Sequence, residues 1–72
     1  MALFGPAYPV LRRVIVNTKT DRAFRGVLWD RRGDYLVLRN AELVKGRGET
    51  VEMDGEVVIP VGNVDFMQVV GE

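Results

Sequence analysis

The chain has 72 residues, no cysteine, no histidine and a formal net charge of zero, from 10 basic and 10 acidic side chains. That length holds one domain, which buries only roughly 60% of its unfolded surface; the missing residue types exclude disulfides, thiolate metal sites and the commonest metal ligand and general base. Assembly with other copies is the remedy left for so small a core, and a hydrophobic content of 47% agrees with it.

Residues 1–10 read as an N-terminal arm, irregular or briefly helical over 1–9, because Pro6 and Pro9 forbid a long regular helix. Residues 11–72 read as the folded domain. Val14-Ile15-Val16 is a β-branched first strand, and Asn17 to Asp21 is its turn. Ala23 to Trp29 is the second strand, with Phe24, Gly26 and Leu28 on one face. Arg31-Arg32-Gly33-Asp34 is the next turn, where Gly33 can supply a positive φ. Tyr35 to Leu38 opens a third strand that runs on towards Leu43 and Val44. Lys45 to Gly48 is a polar loop.

The fourth strand spans Val51 to Ile59, with Val51, Met53, Gly55, Val57 and Ile59 of one parity; Gly55 marks a bend or bulge. Pro60 and Gly62 punctuate a tight connection, and Val64 to Val70 is the fifth strand. No segment longer than a turn has a helical apolar period. The predicted fold class is therefore all-β: five strongly bent antiparallel strands in a small barrel, with the N-terminal helix short or absent.

Charge is unevenly spread. Residues 1–41 carry eight basic and three acidic side chains, and residues 42–72 carry two and seven. The two halves can pair within the fold or form a basic and an acidic face on an assembly; a mixed solvated surface is the plainer reading of any single charge. No apolar run is long enough for a bilayer-spanning helix. The N-terminus has neither the basic start nor the apolar core of a signal peptide. The expectation is a cytoplasmic protein without a membrane partner.

Phe24-Arg25-Gly26-Val27-Leu28 followed by Tyr35-Leu36-Val37-Leu38-Arg39-Asn40-Ala41 resembles the first Sm motif, and Gly55-Glu56-Val57-Val58-Ile59-Pro60-Val61-Gly62-Asn63-Val64 is similar to the second. The resemblance covers roughly residues 11–70. It implies an SH3-like barrel of the Sm-like (LSm) family, in which the fourth strand of one copy pairs with the fifth of the next. The product is a closed homo-oligomeric ring of about five to eight copies. That pairing removes the exposed strand edges. Within the family, the ending from Gly55 to Val69 looks most like small bacteriophage-encoded members, which implies the cytoplasm of a host cell.

Family members that bind uridine-rich RNA use an Asp, an aromatic or His, and an Asn in the loop between strands two and three, with an Arg–Gly pair before the last strand. Here that loop is one residue shorter and the Asn position falls near Tyr35. Pro60-Val61 takes the Arg–Gly place, while Asn63 is kept.

The candidate RNA-binding residues are Arg31, Arg32, Asp34, Tyr35 and Asn63. Single-stranded RNA is held by stacking on aromatic rings and by basic groups on phosphates, and ring repetition adds avidity. Arg31 and Arg32 read equally as a polar hairpin tip, Tyr35 first as a half-buried strand residue, and Asn63 as a turn residue bonding its own backbone. The candidate subunit-interface residues are Val51, Met53, Val57, Ile59, Phe66, Met67 and Val69. The alternative function is a structural or protein-interaction ring without RNA, which zero net charge favours, since nucleic-acid binders usually carry a basic excess. Trp29 is its candidate anchor, although core or subunit packing is the reading preferred for Trp29. Catalysis is not expected. Asp30 and Asp34 read as turn and ion-pair residues, Gly46-Arg47-Gly48 is too short for a phosphate cradle, and no cofactor or metal is expected.

Overall fold

The computed structural model describes residues 8–71. Five strands form one antiparallel sheet: β1 Arg13–Thr18, β2 Ala23–Arg32, β3 Tyr35–Val44, β4 Thr50–Pro60 and β5 Val64–Val69, in the order β4-β3-β2-β1-β5. Short 3₁₀ turns, Gly46–Gly48 and Val61–Asn63, flank β4. The expected all-β barrel of five bent strands is the observed architecture.

The arm expected over residues 1–10 falls outside the described residues up to position 7. Tyr8 and Pro9 lead into a turn at Val10–Arg12 rather than into β1. The Leu11 N–H donates to the Leu28 carbonyl at 2.6 Å, so the chain is already on the sheet before β1 begins.

Alternation builds the core. Val14, Val16 and Thr18 of β1 are buried while the residues between them are only partly covered, the period of a strand with one face inward. Val14 and Val16 meet Leu28, Leu36, Leu38, Ala41 and Ile59, with Phe24, Met53, Val57, Val61, Val64 and Met67 packed around them. Thr18 is the one buried polar residue of the described chain, and it is satisfied. Its Oγ1 donates to the Arg22 carbonyl and accepts from the Arg22 N–H, both at 3.1 Å, closing the β1–β2 turn.

Three strands bend along one line. The β2–β3 register passes from Arg25↔Glu42 to Val27↔Arg39, so Gly26 faces two residues, Asn40 and Ala41. The β3–β4 register passes from Arg39↔Glu56 to Ala41↔Met53, leaving Asn40 opposite Asp54 and Gly55. Asn40 and Gly55 both have positive φ, 51° and 73°. These are bulges, which sharpen the bend and twist of a ladder; the bends expected at Gly26 and Gly55 lie side by side.

The end of β2 and the placement of Trp29 differ from expectation. Arg31 and Arg32 belong to β2, and Arg32 pairs with Tyr35. The turn is only Gly33–Asp34, because Gly33 takes a positive φ of 56° at the first central position, the place glycine fills in a tight two-residue hairpin. Trp29 is outside the core. The register steps from Leu28↔Leu38 to Asp30↔Val37, so Trp29 is the extra residue of a bulge and stays 40% exposed.

Candidate nucleic-acid interface

Directly opposed residues of an antiparallel pair share a face. Across β2, β3 and β4, one row is Arg32, Tyr35 and Pro60, the next is Asp30, Val37 and Val58, and the third is Val27, Arg39 and Glu56. All three rows stand on the face opposite Leu36 and Leu38, which belong to the core. The outer face therefore carries Tyr35, 48% exposed, next to Arg32, with Val58 exposed between them and Glu56.

The five candidate RNA-binding residues are divided. Arg32 and Tyr35 are cross-strand partners on the outer face. Arg31 pairs with Leu36, on the other face, and its guanidinium lies over the Tyr8 ring at 4.8 Å from the centroid. Asp34 contributes its backbone: its carbonyl accepts the Val61 N–H at 2.8 Å and ties the β2–β3 turn to the β4–β5 turn. Asn63 faces the β1–β2 turn, its Nδ2 donating to Thr20 Oγ1 at 3.3 Å and its carbonyl accepting from the Lys19 N–H at 2.8 Å.

An ion-pair network that sequence reasoning missed runs across the outer face. Arg32 donates to both Glu56 oxygens, to Oε1 at 3.2 Å and to Oε2 at 3.4 Å. Arg39 donates to Glu56 Oε2 from Nη2 at 2.9 Å and from Nε at 3.3 Å. Asp30 Oδ2 accepts from Arg32 Nε at 3.3 Å. Arg39 also lies 4.3 Å over the Trp29 ring, a cation–π distance. Hydrogen bonds from Arg39 and then Arg32 hold the Glu56 carboxyl below the usual carboxylate range, and Glu56 in turn raises the Arg32 guanidinium. The available signal was strand parity: Glu56 alternates with inward Val57, and Arg39 with inward Leu38, so both had to face outward together.

Among the described residues, two strand edges are open. β4 and β5 each have one neighbour in the sheet. Of the candidate interface residues, Val51, Phe66 and Val69 are exposed, while Met53, Val57 and Met67 are partly buried against the core. Ile59 is 3% exposed and belongs to the core of its own chain, so only its backbone is available at the edge.

No protein-family model matches the sequence, and no curated protein matches it. Solved structures do. A heptameric archaeal Sm protein is 25% identical with a TM-score of 0.75, over 86% of this chain and 90% of that one. The fold is Sm-like. The SmAP1 heptamer of P. aerophilum agrees, at 25% identity and a TM-score of 0.76, over 88% of this chain and 84% of that one. A chain of the NatC complex bound to CoA shares the fold at 21% identity and a TM-score of 0.74, over 93% of this chain and 90% of that one. In the Sm-like frame, β4 and β5 are the two open edges, and the β2–β3 and β4–β5 turns are joined through Asp34 and Val61.

Proposed function

We propose that the chain closes its edges by pairing β4 of one copy with β5 of the next to form a homo-oligomeric ring, and that the ring binds single-stranded RNA through its repeated β2–β3 tips. The observation that carries the ring is the pair of open edges on a chain with so small a core, each edge flanked by exposed apolar side chains: Val51 and Val58 on β4, Phe66 and Val69 on β5. Unpaired N–H and C=O rows invite another strand. The similar archaeal Sm proteins are heptamers, which supports the same mode of closure.

Tyr35 supplies the stacking surface and Arg32 the phosphate partner beside it. Arg31 over Tyr8 supplies a second aromatic–cation pair on the other face. Asp34 and Asn63 shape the two turns around them. Native mass spectrometry tests the ring, and monomer alone at micromolar concentration would overturn it. Fluorescence polarisation with short uridine-rich and adenine-rich RNAs at low salt tests the ligand. A second reading, a protein-interaction ring, draws on the self-neutralised arginines and on exposed Trp29 and Val58. A ring that binds neither RNA at low salt supports it.

A further inference from the structure

We propose that Glu56 occupies a two-arginine anion site built for an RNA phosphate, and that its carboxylate acts as a built-in competitor that sets the affinity of that site. The inference rests on the RNA reading above and names a regulating residue for the same face.

Arg32 comes from β2 and Arg39 from β3, yet both guanidinium groups converge on one carboxylate of β4. Glu56 Oε2 receives Arg39 Nη2, Arg39 Nε and Arg32 Nη2, and Oε1 receives Arg32 Nη1. Carboxylate and phosphate present the same forked acceptor geometry to a guanidinium. An arginine fork that clasps Glu56 is therefore arranged to clasp a phosphate oxygen pair in the same place. Neither arginine is free to roam: Arg39 is braced on the Trp29 ring, and Arg32 is also held by Asp30.

The clasp is displaceable. The arginine side chains are 54% and 44% exposed and that of Glu56 is 31% exposed. Exposed ion pairs are weak and screened by salt. Tyr35, the proposed stacking surface, is the cross-strand neighbour of Arg32, so a base on Tyr35 brings its own backbone phosphate near the fork. Glu56 thus lets a strand that both stacks and bridges displace it, and resists polyanions that only bring charge.

The experiment compares the wild-type ring with Glu56→Gln, Glu56→Asp and Glu52→Gln for binding of short uridine-rich and adenine-rich RNAs across a salt series. Glu52 lies on β4 opposite Glu42, away from the fork, and its substitution makes the same change in net charge. Glu56→Gln should tighten binding by about three- to tenfold at low salt. It should also steepen the slope of log K against log salt by about 0.7 for each arginine released. Glu52→Gln should do neither, and Glu56→Asp, whose carboxylate reaches less far, should fall between. Adding Arg32→Gln and Arg39→Gln to Glu56→Gln should remove the gain. Binding by the wild type with no gain in Glu56→Gln, or an equal gain in Glu52→Gln, overturns the competitor role and leaves the RNA reading standing. Binding by neither the wild type nor Glu56→Gln overturns both.

Discussion

Gly26 and Ala41 cross at backbone contact: a Cβ built on Gly26 would lie 3.0 Å from the Ala41 Cα, 3.1 Å from its Cβ and 2.9 Å from the Arg39 carbonyl oxygen. The obstructing atoms are mostly backbone, so no side-chain rotation relieves them. Gly26→Ala should cost about 1–3 kcal/mol of stability, the usual range for forced overpacking, and Gly26→Val should cost more. Urea denaturation followed by tryptophan fluorescence at Trp29 measures both. An unchanged midpoint for Gly26→Ala would mean that β2 and β3 separate there at no cost.

The proposed subunit contact predicts that charge on the β5 edge opens the ring. Phe66→Asp with Val69→Asp places two carboxylates on an edge that now carries an exposed aromatic and an exposed aliphatic side chain. An unpaired buried charge costs on the order of several kcal/mol, enough to convert a ring to monomers at micromolar concentration. Native mass spectrometry should show the shift, and a circular dichroism spectrum that stays β-type would show that the barrel survives it. Ile59→Asp should unfold the chain instead, since Ile59 is a core residue.

The strand frame was legible because burial in β1 follows parity, although β3 buries Leu36, Val37 and Leu38 in succession. Val14 and Val16 alternate with exposed or half-covered neighbours, and Gly26 and Gly55 announce bends that the bulges confirm. The hairpin tip was misjudged because a single glycine with positive φ turns the chain in two residues, which leaves Arg31 and Arg32 in the ladder and on opposite faces. Trp29 reads from the sequence as core or subunit packing; the bulge and the Arg39 guanidinium keep it out of the core of its own chain, which leaves subunit packing. The Glu56 network depends on register, which two bulges shift. Sequence parity gives the face of each residue but not which residues of β2, β3 and β4 stand in one row.

Tyr35 predicts the size of the stacking contribution. Base–aromatic stacking is worth about 1–3 kcal/mol per base, so Tyr35→Ala should weaken RNA binding about five- to 100-fold. Tyr35→Phe should bind nearly as well, because the ring rather than the hydroxyl stacks. A phenylalanine variant as weak as the alanine variant would shift the role of Tyr35 from stacking to hydrogen bonding.

Acid stability follows from two carboxylates. Glu42 lies below the usual carboxylate range because Arg25 donates to it from Nη2 at 2.8 Å and from Nε at 3.0 Å; Glu56 lies low because of Arg39 and then Arg32. A group whose folded value is depressed stabilises the fold above its unfolded value, near 4.3 for glutamate, and that stability is lost as pH falls through the folded value. The contribution of both pairs is therefore fully present at about pH 7 and fades below about pH 4. Urea midpoints measured down this window should fall for the wild type. Glu42→Gln with Glu56→Gln should start from a lower midpoint at neutral pH and fall less on acidification, because the groups that lose their partners are already gone. Both pairs are exposed, so the difference between the two profiles should shrink as salt is raised. A variant profile parallel to the wild type at low salt would mean that these pairs contribute nothing to the folded state.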